Sequence, residues 1–307
     1  MMQGVVTKST GSWYTVLFKD GRHMECRLKG KFRLDGIKHT NPIAVGDKVT
    51  VEQEPDKDTG LIVKLTNRHN YIIRKSNNLS KQTQVLAANM DQAMLIVTLF
   101  FPRTSSGFMD RFLVTAEAYH IPVTIVFNKI DLHEEEALTI LAQYEKLYQS
   151  LGYKTLRTSA AKRFGIDEFQ QVLKDKTTLL AGHSGVGKSS LINCINPEIA
   201  QRVGAVSNYS EKGMHTTTFA EMFELLPGTF IIDTPGIKDL GLVDIKEQEL
   251  SHYFPEMREL INECRFNNCK HLNEPGCAVL RALEEGHIDE ERYINYLSML
   301  RNEDIHH

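Results

Sequence analysis

The residues with the clearest chemical role form a glycine-rich loop, Gly182–Ser189, with the sequence G-H-S-G-V-G-K-S. It matches the pattern G-x-x-x-x-G-K-[ST], and we predict a buried strand before it and a helix after it. In this setting backbone N–H groups surround phosphate oxygens, and the helix N-terminus adds its dipole. We expect Lys188 to supply positive charge to the β- and γ-phosphates and the Ser189 hydroxyl to bind Mg²⁺. The predicted phosphate-binding residues are Gly182, His183, Ser184, Gly185, Val186, Gly187, Lys188, Ser189 and Ser190.

A second motif, Asn128-Lys129-Ile130-Asp131, follows another predicted buried strand. The Asp131 carboxylate can accept hydrogen bonds from both the N1–H and the 2-amino group of guanine. Adenine lacks the 2-amino donor, so a site built around these bonds would reject adenine by ~10⁴-fold or more. We expect Asn128 to bind the base edge and brace the phosphate loop, and the Lys129 stem to lie over the base. The predicted backbone support for the guanine carbonyl is Thr158, Ser159 and Ala160.

A third set of residues could bind magnesium and the γ-phosphate. The motif Asp233-Thr234-Pro235-Gly236 follows a predicted strand. We expect Asp233 to hold Mg²⁺ through water and the Gly236 N–H to meet the γ-phosphate. The run Gly213–Thr218 lies where a first switch should close on Mg²⁺. The candidate magnesium ligands within it are Thr217 and Thr218, and their spacing does not choose between them.

The position after Gly236 bears on hydrolysis. Many small GTPases have a glutamine there that orients the attacking water, whereas this chain has Ile237. We therefore predict slow intrinsic hydrolysis, unless another group positions the water. His215 is the candidate for that catalytic role, and the alternative is a switch-loop histidine with no chemical part.

Three cysteines and one histidine cluster near the C-terminus, in the spacing Cys264-x₄-Cys269-x-His271-x₅-Cys277. Three thiolates and one imidazole suit a tetrahedral structural zinc with no open coordination position. Free thiols and an iron–sulfur site are the alternatives. Such a zinc would hold together a helical segment that is too small for its own core. The two other cysteines, Cys26 and Cys194, are expected to be small buried hydrophobic residues.

The surrounding pattern predicts an α/β fold with two additional units. Short strands and turns over residues 1–70 favour an OB-like barrel, with an SH3-like barrel as the alternative. A polar, basic linker is predicted over 71–90, a parallel sheet with helices over 91–240, and a helical zinc-binding unit over 241–307. Residues 1–90 contain 15 basic and 8 acidic side chains in a chain of net charge −3. A basic first third therefore favours an RNA-facing barrel.

The order of the motifs is unusual, because the guanine motif precedes the phosphate loop. In this respect the chain resembles the circularly permuted ribosome-assembly GTPases of the RsgA family, also called YjeQ or YloQ. The resemblance covers nearly the whole chain and includes the His215–Thr218 run and the segment Cys264–Ala278. One departure is Met214, where the family often has a basic residue.

The resemblance implies a GTPase that binds the small ribosomal subunit late in its maturation. It implies stimulation of hydrolysis by that subunit, release of other assembly factors, and contacts of the barrel and the zinc unit with ribosomal RNA. An RNA-binding scaffold with structural nucleotide and an RNA-modifying GTPase are rival interpretations. No apolar run approaches the ~18 residues of a membrane span, so we expect a cytoplasmic protein with no membrane partner. We also expect the chain to act as a monomer.

Overall fold

The computed structural model describes residues 1–30, 42–75, 83–201, 220–234 and 245–301. Three units follow one another along the chain: a barrel, a central sheet flanked by helices, and a C-terminal module of short helices. None of the helices in these ranges combines the length and the apolar character needed to cross a membrane.

The N-terminal barrel is a closed sheet of five strands. They are β1 (Met2–Ser9), β2 (Tyr14–Phe18), β3 (His23–Leu28), β4 (Lys48–Gln53) and β5 (Gly60–Leu65). The hydrogen-bonded order is β1-β2-β3-β5-β4, and β4 closes the barrel by pairing again with β1. Alternate residues of β2, namely Tyr14, Val16 and Phe18, are buried in the barrel interior, as expected for strands with one solvated face. The predicted five-stranded barrel is confirmed.

The segment predicted as a linker contains a β-hairpin instead. Its strands, β6 (Tyr71–Lys75) and β7 (Thr83–Ala88), pair antiparallel and form a separate two-stranded sheet. Ile73 and Val85 are buried together in a small cluster with Ala44. These apolar stretches are too short to show a clear period in the sequence, so only their packing reveals the hairpin.

The central sheet has six strands in the order β10-β9-β8-β11-β13-β12. Their bounds are β8 (Gln92–Val97), β9 (Val123–Phe127), β10 (Lys154–Arg157), β11 (Thr177–Ala181), β12 (Glu221–Leu226) and β13 (Thr229–Asp233). All neighbours pair in parallel except β12 and β13. Every residue of β8 and β9 is buried, which is typical of parallel strands covered on both faces. The predicted α/β class is confirmed, whereas β12 had no clear sequence signal.

Helices cover both faces of this sheet, and four of them lie wholly within the described residues. They are α1 (Ser106–Ala118), α2 (Glu135–Ser150), α3 (Ile166–Leu173) and α4 (Lys188–Ile195). One core contains Leu95 with Phe112 of α1, and the other contains Met94 with Phe169 of α3 and Leu191 of α4. Adjacent residues of β8 thus enter opposite cores, as the period of two requires.

The barrel is joined to the central sheet by main-chain pairing. Strand β1 lies antiparallel to β12 with Lys8 opposite Glu221, and the Lys8 Nζ lies 3.4 Å from a Glu221 carboxylate oxygen. This contact makes the two sheets one continuous set of eleven strands. The barrel also contacts the segment before β8 at Gly46. An added Cβ on Gly46 would lie 1.9 Å from the Ala88 carbonyl oxygen, and the backbone φ of Gly46 is +88°. Only glycine fits this joint.

The C-terminal module is built from α5 (Pro255–Arg258), α6 (Ala278–Glu284) and α7 (Glu290–Leu300), with 3₁₀ turns at Leu250–Tyr253 and Ile261–Glu263. The first part of the predicted helical unit is therefore made of short, interrupted helical turns. The module has an apolar core around Phe254 and Tyr296, to which α1 contributes Val114. It therefore packs directly on the central unit.

A buried ionic network fixes that packing. The Arg292 guanidinium, 2% exposed, donates to Asp110 at 2.5 Å and to Glu256 at 2.6 Å. Asp110 also accepts hydrogen bonds from the Tyr148 hydroxyl at 2.9 Å and from the Asn295 amide at 2.6 Å. A buried charge is tolerated only when it is paired and hydrogen-bonded, and Asp110 meets that condition through residues of both units.

Replacing Arg292 tests this network. Arg292→Met leaves the Asp110 carboxylate buried without its cation, so we expect the free energy of unfolding to fall by about 3–5 kcal/mol. Arg281→Met is the matched control, because its pair with Glu263 at 3.3 Å is exposed and should contribute about 1 kcal/mol or less. Urea unfolding followed by circular dichroism measures both. Equal losses in the two variants would contradict the assigned role of the network.

Candidate functional site

The predicted phosphate loop lies between β11 and α4, as the motif requires. β11 ends at Ala181, and α4 begins at Lys188. The Lys188 ammonium donates to the carbonyl oxygens of Gly182 at 2.7 Å and His183 at 3.0 Å. The lysine thus folds back over the loop, and its ammonium lies against the loop backbone.

The loop is joined to the guanine motif by one buried side chain. Asn128, 1% exposed at the end of β9, donates from Nδ2 to the Val186 carbonyl at 2.8 Å. Its Oδ1 accepts a hydrogen bond from the Thr158 hydroxyl at 3.0 Å. An added Cβ on Gly187 would lie 2.3 Å from the Asn128 amide nitrogen. Glycine at that position therefore permits the close approach of the two motifs.

The other predicted base-reading residues surround Asn128. Asp131 lies in a short 3₁₀ turn, Ile130–Leu132, and accepts a hydrogen bond from the Ser159 hydroxyl. The Ser159 side chain also accepts from the Lys162 backbone N–H at 3.0 Å, which orders the loop after β10. The Asp131 carboxylate is exposed and directed into the same region as the phosphate loop. Such a carboxylate can bind two adjacent N–H donors.

These parts enclose one cleft of about 640 Å³. Its lining includes Asn128, Lys129, Asp131, Ala160, Gly187, Ser189 and Ser190. Residues of the guanine motif and of the phosphate loop thus line the same cleft. A cleft of this size is in the range that accommodates a small-molecule ligand.

The predicted magnesium and γ-phosphate residues are only partly described. Asp233, 2% exposed, ends β13 directly opposite Leu180 of β11, so it lies at the same sheet edge as the phosphate loop. The hydroxyl of the next residue, Thr234, is buried with no hydrogen-bond partner among the described residues. The predicted site residues that fall outside the described ranges are His215, Thr217, Thr218 and Gly236.

The four predicted metal ligands are brought together. Their ligand atoms all lie within 4.8 Å of one another, with His271 Nδ1 at 3.3 Å from the Cys277 sulfur and 3.7 Å from the Cys264 sulfur. A tetrahedral ion with bonds of about 2.0–2.3 Å separates such ligands by roughly 3.6–3.8 Å. Burial, together with the neighbouring thiols, raises the pKa of Cys269 to about 12. A cation at the centre would reverse this effect and hold the thiolates, so the cluster could hold a metal ion.

The loop that carries these ligands is held by several hydrogen bonds. The Glu274 carboxylate accepts from the backbone N–H groups of Lys270 and Leu272 at 2.8 and 2.7 Å. The Tyr293 hydroxyl donates to the His271 carbonyl at 2.6 Å. Cys277 caps α6, because its sulfur accepts from the Leu280 N–H at 3.4 Å. Residues outside the ligand set thus orient the ligands, as in protein metal sites generally.

The sequence motifs did not predict two contacts of the site. The Lys129 ammonium donates to the carbonyl oxygen of Phe101 at 2.9 Å. The His183 ring lies against the Phe108 ring of α1, with 3.9 Å between centroids. Both partners come from the segment after β8, which carries no recognisable motif. The only signal is that this segment follows a strand end, where ligands bind in parallel sheets.

Comparisons with known proteins identify the family. A family model described as RsgA GTPase matches residues 65–243, and one described as RsgA N-terminal domain matches residues 3–62. The Small ribosomal subunit biogenesis GTPase RsgA of Bacteroides fragilis is 50% identical over 303 residues, covering 99% of this chain and 97% of that protein. The protein of the same name from Phocaeicola vulgatus is 51% identical over 303 residues, again covering 99% of this chain and 97% of that protein.

Solved structures agree in fold. YjeQ from Thermotoga maritima matches with a TM-score of 0.79 and 36% identity over 98% of both chains. YloQ, described as a circularly permuted GTPase, matches with a TM-score of 0.75 and 31% identity over 98% of this chain and 94% of its own. The chain belongs to the RsgA GTPase family, and the predicted circular permutation and GTPase activity are confirmed.

Proposed function

We propose that this RsgA-family GTPase acts late in the maturation of the small ribosomal subunit. The subunit would stimulate GTP hydrolysis, and hydrolysis would be coupled to release of other assembly factors. The observation that carries the proposal is the match of 99% of this chain to relatives named small ribosomal subunit biogenesis GTPases. Because those relatives are also matched over 97% of their length, the barrel, the central unit and the C-terminal module all have counterparts in them.

Guanine recognition in this proposal rests on Asn128, Lys129 and Asp131. Asp131 accepts from the N1–H and 2-amino groups, and the Lys129 stem lies over the ring. The backbone of the loop Thr158–Ala160 meets the guanine carbonyl. The supporting observation is that one cleft is lined by Asn128, Lys129, Asp131 and Ala160 together with Ser189 and Ser190.

Phosphate binding and hydrolysis would use the other wall of the cleft. The backbone of the loop Gly182–Ser189 surrounds the phosphates, and Lys188 compensates the charge that builds on them during transfer. The proposed ligands of a nucleotide-bound Mg²⁺, which would offset phosphate charge, are Ser189, Asp233 and either Thr217 or Thr218. The Gly236 N–H would contact the γ-phosphate.

Water activation needs a group other than the residue after Gly236. Ile237 has no polar atom with which to orient water, so basal turnover should be slow. We assign His215 as the residue that positions the water in the complex with the subunit. Positioning of this kind is a large part of catalysis in phosphoryl transfer.

RNA contact in this proposal falls to the barrel and the C-terminal module. The first 90 residues carry 15 basic and 8 acidic side chains. This excess of positive charge would favour binding to the phosphate backbone of RNA. The ion held by the cysteine cluster would be one structural zinc, since three thiolates and an imidazole leave no open position. Because ribosomes of the bacterial relatives assemble in the cytoplasm, we propose that location, with the chain acting as a monomer.

The base assignment can be tested with Asp131→Asn. The amide presents one donor where guanine needs an acceptor, so preference should move from guanosine toward xanthosine nucleotides by at least ~10²-fold. Competition of GDP and XDP for the protein measures this preference. As a control, Glu134→Gln changes an exposed carboxylate of the neighbouring helix N-terminus and should keep guanine preference. Unchanged GDP affinity in Asp131→Asn would refute the assignment.

Zinc binding can be tested by elemental analysis of purified protein. We expect one zinc per chain, lost in Cys269→Ala, with faster proteolysis of the C-terminal module and an intact central unit. Cys194→Ala is the control, because this cysteine lies in α4 far from the cluster in sequence and outside it in space. Freshly purified wild-type protein without zinc, or with iron instead, would rule the proposal out.

The ribosomal role can be tested by steady-state phosphate release over a titration of purified small subunits. Wild-type turnover should rise steeply with added subunit, since in-trans stimulation of other GTPases reaches ~10³–10⁵-fold. Lys188→Ala should abolish basal and stimulated turnover, whereas His215→Ala should mainly reduce the stimulated rate and leave nucleotide affinity nearly unchanged. A wild-type rate that stays flat across the titration would favour an RNA-binding scaffold with structural nucleotide.

A further inference from the structure

A closed loop connects β8 to α1 beside the nucleotide cleft, over Thr98–Thr104, and we call it the 98–104 loop. The Thr98 backbone N–H donates to the Thr104 hydroxyl at 3.2 Å, and the Thr104 N–H donates to the Thr98 carbonyl at 2.8 Å. The Thr98 hydroxyl donates to the Pro102 carbonyl. Both threonines are nearly fully buried, at 2% and 4% exposure. Hydrogen bonds between its two ends therefore hold the loop in one conformation.

The middle of the 98–104 loop contacts the guanine motif. The Phe101 carbonyl oxygen accepts the hydrogen bond from the Lys129 ammonium at 2.9 Å. Lys129 has a left-handed backbone, with φ +62°, and directly follows the buried Asn128. Its side chain is thus held at both ends by the protein itself. A long side chain that is already ordered loses less conformational entropy when a ligand packs on it.

The same loop also lies beside the phosphate loop. A Cβ on Gly185 would lie 3.5 Å from the Pro102 Cδ, which is ordinary van der Waals contact. A few residues further on, Phe108 packs on the His183 ring. The 98–104 loop is therefore adjacent both to the residues proposed to read the base and to those proposed to hold the phosphates.

We propose that Thr98 and Thr104 are positioning residues for guanine nucleotide binding. They keep the 98–104 loop closed, so that the Phe101 carbonyl holds the Lys129 side chain in the orientation that the base requires. The inference rests on the proposed function, specifically on Lys129 lying over the base. It adds to the guanine motif a residue pair that touches no nucleotide itself and acts through Lys129.

The first experiment measures GDP affinity with a fluorescent GDP analogue. Thr104→Val removes the acceptor of the Thr98 N–H, and we expect affinity to weaken about 3- to 10-fold, the effect of one lost hydrogen bond. The KM for GTP should rise by a similar factor, with a smaller change in kcat. Thr104→Ser keeps the hydroxyl and should bind as the wild type does.

Thr115→Val is the matched control. Thr115 is a buried threonine of α1, 1% exposed, whose hydroxyl donates to the Arg111 carbonyl at 2.8 Å. It should lose stability comparable to that of Thr104→Val without losing GDP affinity. If both variants weaken GDP binding alike, the effect is one of general stability and the proposal is wrong.

The second experiment asks whether Thr104 acts through Lys129. Lys129→Met keeps most of the stem and removes the ammonium, and it should weaken GDP binding by itself. Adding Thr104→Val to Lys129→Met should then cost less than about twofold more, because the tether is already lost. A full additional loss in the double variant would overturn the proposal. If Lys129→Met binds GDP normally, the base assignment of Lys129 fails and the inference with it, whereas Asp131→Asn still tests guanine recognition separately.

Discussion

The nucleotide site depends on the hydrogen bond from the Asn128 amide to the Val186 carbonyl, 2.8 Å long and buried. It joins the two segments proposed to read the base and to hold the phosphate chain. The bond requires close approach, and Gly187 permits it because a Cβ there would lie 2.3 Å from the amide nitrogen. The side-chain oxygen of Asn128, Oδ1, in turn accepts a hydrogen bond from the Thr158 hydroxyl, so one side chain organises three loops. Loss of this bond would separate the two halves of the cleft.

That bond is possible because strand position in the sheet, not chain order, decides which loops meet. β8 lies between β9 and β11, and all three run parallel. Their carboxyl ends therefore open at one edge, where the loops that follow them form a common crevice. The guanine motif precedes the phosphate loop by more than 50 residues in the sequence, yet the two are one strand apart. A circular permutation keeps such a site intact, provided that the pairing of the strands is kept.

Much of this could be predicted from local sequence, because the chemistry at a strand end depends on residues close together in the chain. The phosphate loop, the guanine motif and the cysteine spacing are of this kind. What could not be predicted depends on distant partners. β12 is defined by its pairing with β13 and by Lys8 of the barrel opposite Glu221, and the hairpin β6–β7 is joined to the barrel turn at Gly46. The hydrogen bond from Lys129 to the Phe101 carbonyl could not be predicted for a further reason. Every residue has a backbone carbonyl, so the residue type does not indicate that this one accepts a hydrogen bond.

The barrel and the C-terminal module are attached to the central unit in a way that could couple RNA binding to the nucleotide site. The barrel pairs with β12, which lies in the chain between the two segments that carry the candidate switch residues. The C-terminal module is fixed to α1 by the Arg292–Asp110 pair, and α1 places Phe108 against His183 of the phosphate loop. An RNA surface that bound both units would therefore act on the site by two routes, one through β12 and one through α1. Because linkage is reciprocal, nucleotide that favours one arrangement of the switches must change the affinity of the outer units for that surface by the same factor.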